Sequence, residues 1–315
     1  AKKHPVDDND RNDGSNISFS SWTRRFSLHV HVWLSGLKLK YVNIDDMTIC
    51  YGEKGKRRKG QPSMILLHGF TACKFMWSPL AKNLSHDCHV IAVDLPGHGD
   101  SDTPTEDEDI SHTTTVKKMN QIICRLGLEE EPFHLVGMSM GGALAGLYAA
   151  QYPEHIHSLT LICPAMRTPI ESPFWGDIHA ALEQGMTNLH EKCTLLFPQS
   201  AHQVQDMLRF VQFNNSWVPK QILQGVVDFR KNYYPFYARY YLGGGRPGNS
   251  CIRSSSVERT VTQLCAGRSH STMWTFHEHR QAGGHDQGLT DIQEWIRAKN
   301  QITGSGGIWC SVLFI

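Results

Sequence analysis

Between residues 63 and 163, short apolar runs alternate with stretches whose apolar residues recur every three or four positions. The runs 63–67, 89–93, 133–136 and 156–163 are too short for helices, and each leads into a turn bearing glycine or proline. They predict buried strands. Residues 77–84, 113–126 and 141–152 have helical spacing, the last rich in small residues and stopped by Pro153. Strands that alternate with helices imply βαβ units, and so an α/β fold with a mostly parallel sheet. Ahead of them, residues 41–51 alternate loosely, as a first strand or hairpin would. The basic stretch 52–60 then reads as a solvated hairpin tip.

The rhythm changes twice more. Residues 165–242 carry helical spacing at 202–213 and 220–229, and aromatics at Tyr233, Tyr234, Phe236, Tyr237, Tyr240 and Tyr241. They predict a helical cap inserted over one end of the sheet. The aromatics fit the lining of an acyl pocket and the packing of a small helical layer equally well. From Gly243 the chain is dense in Gly, Ser, Arg and His, and only 290–299 keeps helical spacing. The expected organisation is a polar segment or anchor remnant at 1–32, a core at 33–164, a cap at 165–242 and an atypical end at 243–315.

Of the 315 residues 40% are hydrophobic and 19% charged, which excludes a disordered chain or a coiled coil. Thirty-one basic and thirty acidic residues leave a formal charge of +1, which removes the electrostatic case for a nucleic-acid partner. The nine cysteines form no CxxC pair, so neither a zinc site nor a disulfide framework is expected, and a reducing, cytosol-facing environment is. No window reaches the ~18 apolar residues of a membrane span; the best stretches are 28–39 and 308–315. The chain starts at Ala1 rather than methionine, as a fragment or processed chain would.

Gly137-Met138-Ser139-Met140-Gly141 follows an expected strand and opens an expected helix. In that setting GxSxG is a nucleophile elbow, whose sharp turn lifts a serine hydroxyl above the sheet. His68-Gly69-Phe70 ends the earlier strand, where a second oxyanion donor belongs. The backbone N–H groups of Phe70 and Met140 would form a two-donor hole, with His68 a structural neighbour of it. Asp94-Leu95-Pro96-Gly97-His98-Gly99-Asp100 reads as a turn that satisfies its own backbone, in preference to a metal site on Asp94, His98 and Asp100.

These turns, taken in order, resemble those of the α/β-hydrolases, and more narrowly of the membrane-anchored monoacylglycerol lipases of the α/β-hydrolase-domain-containing type six. The resemblance is carried by residues 62–70, 133–142, 148–153, 163–165 and 218–228, and spans about 33–242. It implies a serine hydrolase of lipid esters at a membrane surface, without a cofactor or metal. Ser139 would match the nucleophile, and Phe70 and Met140 the oxyanion donors. The family carries an N-terminal membrane anchor, and residues 33–39 resemble the stretch just after it.

The family's acid follows a Trp-Gly turn. The nearest match, residues 262–270, has Ala266 for the tryptophan and His270 for the aspartate, so no acid is assigned. An imidazole cannot supply the negative charge that orients the catalytic histidine. Gly283-Gly284-His285 before 290–299 resembles the family's base turn and makes His285 the candidate base, although it follows His270 too soon to leave room for the usual helix and strand. A solvated loop is the competing reading of His285. The abrupt loss of pattern at Gly243 points to a shifted frame, a retained intron or an alternative exon. The rival function is a catalytically impaired hydrolase fold that binds an acyl lipid or a partner.

Overall fold

The computed structural model describes residues 35–165, 193–211, 218–241, 274–278 and 309–314. Eight strands form one sheet: β1 (Lys38–Ile44), β2 (Met47–Lys54), β3 (Met64–Leu67), β4 (Val90–Val93), β5 (Phe133–Met138), β6 (Ile156–Ile162), β7 (Trp274–Glu278) and β8 (Trp309–Phe314), in the order β1-β2-β4-β3-β5-β6-β8-β7. β1 and β2 form a hairpin, β2 pairs antiparallel with β4, and every later pairing is parallel. The α/β class read from the alternating pattern is the one observed.

The central strands are apolar throughout because both faces are covered. Side chains alternate between the faces. Ile65, Leu67, Ile91, Val93, Leu135, Leu159 and Leu161 enter one buried cluster, with Val116, Met119 and Ile123 of helix α2 (His112–Arg125) and Leu144 and Tyr148 of α3 (Met140–Gln151). Met64, Leu66, Val90, Ala92, Val136 and Ile162 enter a second cluster, under Leu80 of α1 (Ser78–Asn83) and Trp77 of the turn that runs into it. Helix α2 starts where the Ser111 hydroxyl accepts the Thr114 N–H at 3.2 Å, an N-cap whose removal typically costs about 1 kcal/mol. α3 is buried from Met140 to Ala149 on every face, as an apolar helix without a polar stripe must be.

Of the basic segment, 52–54 belong to β2, and the solvated turn is the later part, closed by a bridge between Arg58 and Gln61. The hairpin turns at Asp45–Asp46, and β2 continues through Lys54. Lys54 is buried and donates from Nζ to the carbonyls of Ala81 (2.5 Å) and Leu84 (2.9 Å). It therefore caps the carboxyl end of α1, where a cation suits both the free carbonyls and the helix dipole. Arg57 pairs with Glu130 and Arg58 with Asp87, so much of the charge is neutralised within the fold.

Three further helices follow: α4 (Ala201–Val211), α5 (Lys220–Lys231) and α6 (Tyr234–Tyr241). α4 and α5 pack through Ala201, Val204, Leu223 and Val227. Tyr234, Phe236, Tyr237 and Tyr240 are buried in the main core cluster together with Phe197. These four rings therefore form part of the packed core beside Phe70. β7 and β8 lie in the C-terminal stretch where no strand is expected from the sequence, with β8 seated between β6 and β7. Among the described residues no helix is long and apolar enough to cross a membrane.

Candidate active site

β4 lies on one side of β3 and β5 on the other, so the strand order reverses at β3. Open α/β sheets bind ligands outside the carboxyl ends of strands at such a reversal. Ser139 follows β5 there, and His68-Gly69-Phe70 follows β3.

Ser139 adopts φ 51° and ψ −117°, outside the ordinary wells of an L-residue, a conformation that costs ~1–3 kcal/mol and needs its surroundings to hold it. Its N–H donates to the Ile162 carbonyl at 2.9 Å, and its carbonyl accepts from the N–H groups of Ala143 (3.1 Å) and Ala165 (2.9 Å). The flanking glycines let three backbones meet. A Cβ on Gly137 would lie 2.2 Å from the Gly141 carbonyl oxygen, and one on Gly141 would lie 2.5 Å from the carbonyl oxygens of both Leu67 and His68. The serine is thus placed by β3, β5, β6 and α3 together.

A Cβ built on Gly69 would be 3.5 Å from the Ser139 Cβ, so the Gly69–Phe70 turn borders the serine. Met140 opens α3, whose first amides have no carbonyl partner within the helix and mark its positive end. Ser139, Phe70 and Met140 therefore meet at one point of the fold. His285, His270 and Ala266 lie outside the described residues, and so does the segment 290–299. Among the described residues no histidine bonds the Ser139 hydroxyl.

His68 is a fastener. Its Nδ1 donates to the Gly69 carbonyl at 2.8 Å and its Nε2 accepts the Leu95 N–H at 3.0 Å, joining the ends of β3 and β4. Full burial lowers its pKa, which keeps the ring neutral as that bonding requires. His98 is also buried and donates from Nδ1 to the Pro96 carbonyl at 3.1 Å. Its ring lies 5.0 Å from those of His68 and Tyr237, and burial, with His68 adding to it, holds its pKa well below the usual range.

No local pattern marks the charge beneath these turns. The ammonium of Lys74, fully buried, lies 2.5 Å from Asp94 Oδ2 and 2.6 Å from Asp100 Oδ2. Asp94, fully buried too, also accepts the backbone N–H groups of Lys74 (2.6 Å) and Asp100 (2.9 Å). Burial pulls the Lys74 pKa down, and the two carboxylates outweigh it and raise it above its ordinary value. Cys50, Asp94 and Asp100 are close enough to suggest a metal. Burial, however, pushes the Cys50 thiol up to about 11, and Lys74 already supplies the cation. The preferred sequence reading of this turn, as a self-satisfied loop, matches these bonds.

Aromatic rings from later in the chain cover the Gly69–Phe70 turn. The Phe70 ring meets those of Phe197 (6.1 Å), Tyr237 (5.2 Å) and Tyr240 (6.3 Å). Arg230 of α5 donates from Nη2 to the Thr71 carbonyl at 3.3 Å.

A family model described as the alpha/beta hydrolase fold matches residues 62–232, more than half of the chain, and covers both turns and the elbow. The chain belongs to this family. Within the α/β-hydrolases it is 38% identical over 230 residues to monoacylglycerol lipase abhd6-B of Xenopus laevis, and 36% identical over 230 residues to monoacylglycerol lipase ABHD6 of Homo sapiens. Each match covers 71% of this chain and 66% of the relative, so the chain spans about two thirds of the length of the curated relatives it matches. A crystal structure of a membrane phospholipase A, described as a bacterial virulence factor, superposes with a TM-score of 0.61 at 23% identity, over 93% of this chain and 84% of that one. That likeness places the fold alone.

Proposed function

We propose that this chain is a serine hydrolase of carboxylic esters, acting on lipid esters of the monoacylglycerol class at a membrane surface on the cytosolic side. Residues 33–164 serve as its catalytic core and 165–242 as its cap. The observation that carries the reading is the backbone of Ser139, held off the ordinary wells by three hydrogen bonds, with the Gly69–Phe70 turn against its side chain. The substrate class rests on the likeness to the monoacylglycerol lipases.

In this reading Ser139 Oγ attacks the ester carbonyl carbon while its proton passes to a histidine, for which His285 is the candidate. The carbonyl oxygen becomes an oxyanion between the N–H groups of Phe70 and Met140. Collapse breaks the bond to the glycerol oxygen, which leaves with the proton of the imidazolium. Water then attacks the acyl-serine and releases the fatty acid.

A second reading is a hydrolase fold that binds an acyl lipid or a partner without turnover. It is favoured by one observation. His68 spends both nitrogens on backbone groups, and His98 packs among aromatic rings, so neither serves Ser139. A fluorophosphonate probe separates the two: labelling of the folded chain that disappears in Ser139→Ala supports the hydrolase, and an unlabelled folded chain supports the binder. Release of fatty acid from monoacylglycerol in phospholipid vesicles, with co-sedimentation of the chain, then tests substrate and surface.

A further inference from the structure

The oxyanion turn contains a second strained residue. Thr71, immediately after Phe70, has φ 57°, a left-handed conformation that a β-branched side chain strongly disfavours. The turn is closed by the Ala72 N–H, which donates to the Gly69 carbonyl at 3.2 Å. Thr71 therefore occupies the place where glycine is the usual residue when φ must be positive. Something outside the turn has to hold it.

The group that does so comes from the cap. Arg230, in the last turn of α5, donates from Nη2 to the Thr71 carbonyl at 3.3 Å and from Nη1 to the Met207 sulfur on α4 at 3.1 Å. The peptide that joins Thr71 to Ala72 is thus gripped at both ends, its carbonyl by the guanidinium and its N–H by Gly69. Among the described residues no carboxylate pairs with Arg230, and its burial lowers the guanidinium pKa from its ordinary value. Among these residues its main polar contact is the charge-assisted bond to the Thr71 backbone carbonyl. The planar fork suits this task, since it fixes two acceptors on different elements in one geometry.

We propose that Arg230 is a positioning residue of the oxyanion hole: through the Thr71 carbonyl it sets the Gly69–Ala72 turn, and with it the direction of the Phe70 N–H. This rests on the serine-hydrolase reading for its catalytic consequence but not for its structural one. The cap is then a working part of the hole and not only a cover. A hole donor removed outright costs about 10²–10³ in rate, and one left in place but misdirected costs less, roughly ten- to a hundredfold.

The test compares Arg230→Met, Arg230→Lys and the double variant Thr71→Gly/Arg230→Met with the unaltered chain. Amide exchange in peptides covering residues 66–76 should rise at least fivefold in Arg230→Met, less in Arg230→Lys, and stay unchanged in peptides of β5 and α3. With a soluble p-nitrophenyl ester, kcat should fall roughly ten- to a hundredfold in Arg230→Met with KM within twofold. The double variant should recover most of that loss, because glycine accepts the left-handed conformation unaided. Unchanged exchange in 66–76, a loss confined to KM, or a double variant no better than the single would each overturn the proposal. An unaltered chain without esterase activity would end the hydrolase reading alone, and exchange would still decide the role of Arg230.

Discussion

Replacing Lys74 by methionine removes the ammonium and keeps most of the apolar stem, so it isolates the charge beneath the active-site turns. Asp94 then stays fully buried with two backbone N–H groups at 2.6 and 2.9 Å and no cation. Removing one partner of a buried pair costs about 3–5 kcal/mol, and the two remaining donors put this case near the lower end. The bridge to Asp100 adds less than about 1 kcal/mol, because that carboxylate is 53% exposed and returns to water. The expected loss is about 3 kcal/mol, a large share of the ~5–15 kcal/mol that holds a typical domain together. Urea unfolding, followed through the fluorescence of tryptophans such as the buried Trp77, measures it. A cycle with Asp94→Asn should return a coupling of at least about 2 kcal/mol. A loss below about 1 kcal/mol in Lys74→Met, or additive single variants, would refute the account.

Three further outcomes follow from other parts of the fold. Gly141→Ala forces a methyl against the Leu67 and His68 carbonyls, so it should cost about 3 kcal/mol or more in thermal unfolding and abolish probe labelling. Stability should fall as the pH drops from about 6.5 to about 4. His112 and His134 are held by burial at about 4 in the folded chain and return to about 6.5 on unfolding, so these two alone let the unfolded chain bind up to two more protons in that window, and the buried His68 and His98 act in the same direction. The corresponding slope, up to ~2.7 kcal/mol per pH unit, is checked by unfolding midpoints at several pH values, and a flat profile would contradict it. Ser111→Ala should cost about 1 kcal/mol through the lost cap of α2, read from the urea midpoint at constant slope.

The strands of the core were legible because a strand covered on both faces must be apolar throughout, and 63–67, 89–93, 133–136 and 156–163 are such runs. The elbow was legible because a backbone-to-backbone crossing admits only glycine, and Gly137 and Gly141 stand at that crossing. Local pattern failed where a distant contact decides. Lys54 looks like surface charge, yet its reach lets it end a helix that begins 24 residues later. Lys74 belongs to no periodic pattern, and its partners follow it by 20 and 26 residues. In β7 the alternation of Trp274 and Phe276 is too brief to stand out from its glycine- and serine-rich surroundings. The aromatics of α6 meet Phe70, 167 residues before Tyr237, and Phe197, 37 residues before Tyr234, so no local pattern shows what they face.

The outer edge of β6 has a consequence for how such a chain changes over generations. Ser158 to Ile162 pair there with Trp309 to Leu313, and the ladder is written in main-chain amides and carbonyls, which every residue but proline provides in full. β6 is also the last strand the elbow leans on, through the Ile162 carbonyl that receives the Ser139 N–H. Among the described residues, the bonds that hold the Ser139 backbone all come from positions up to 165, and what docks beyond β6 pairs through its backbone. A rewritten stretch that still extends beside β6 keeps that ladder. A change in that stretch therefore reaches the bend of Ser139 first through the outer edge of β6.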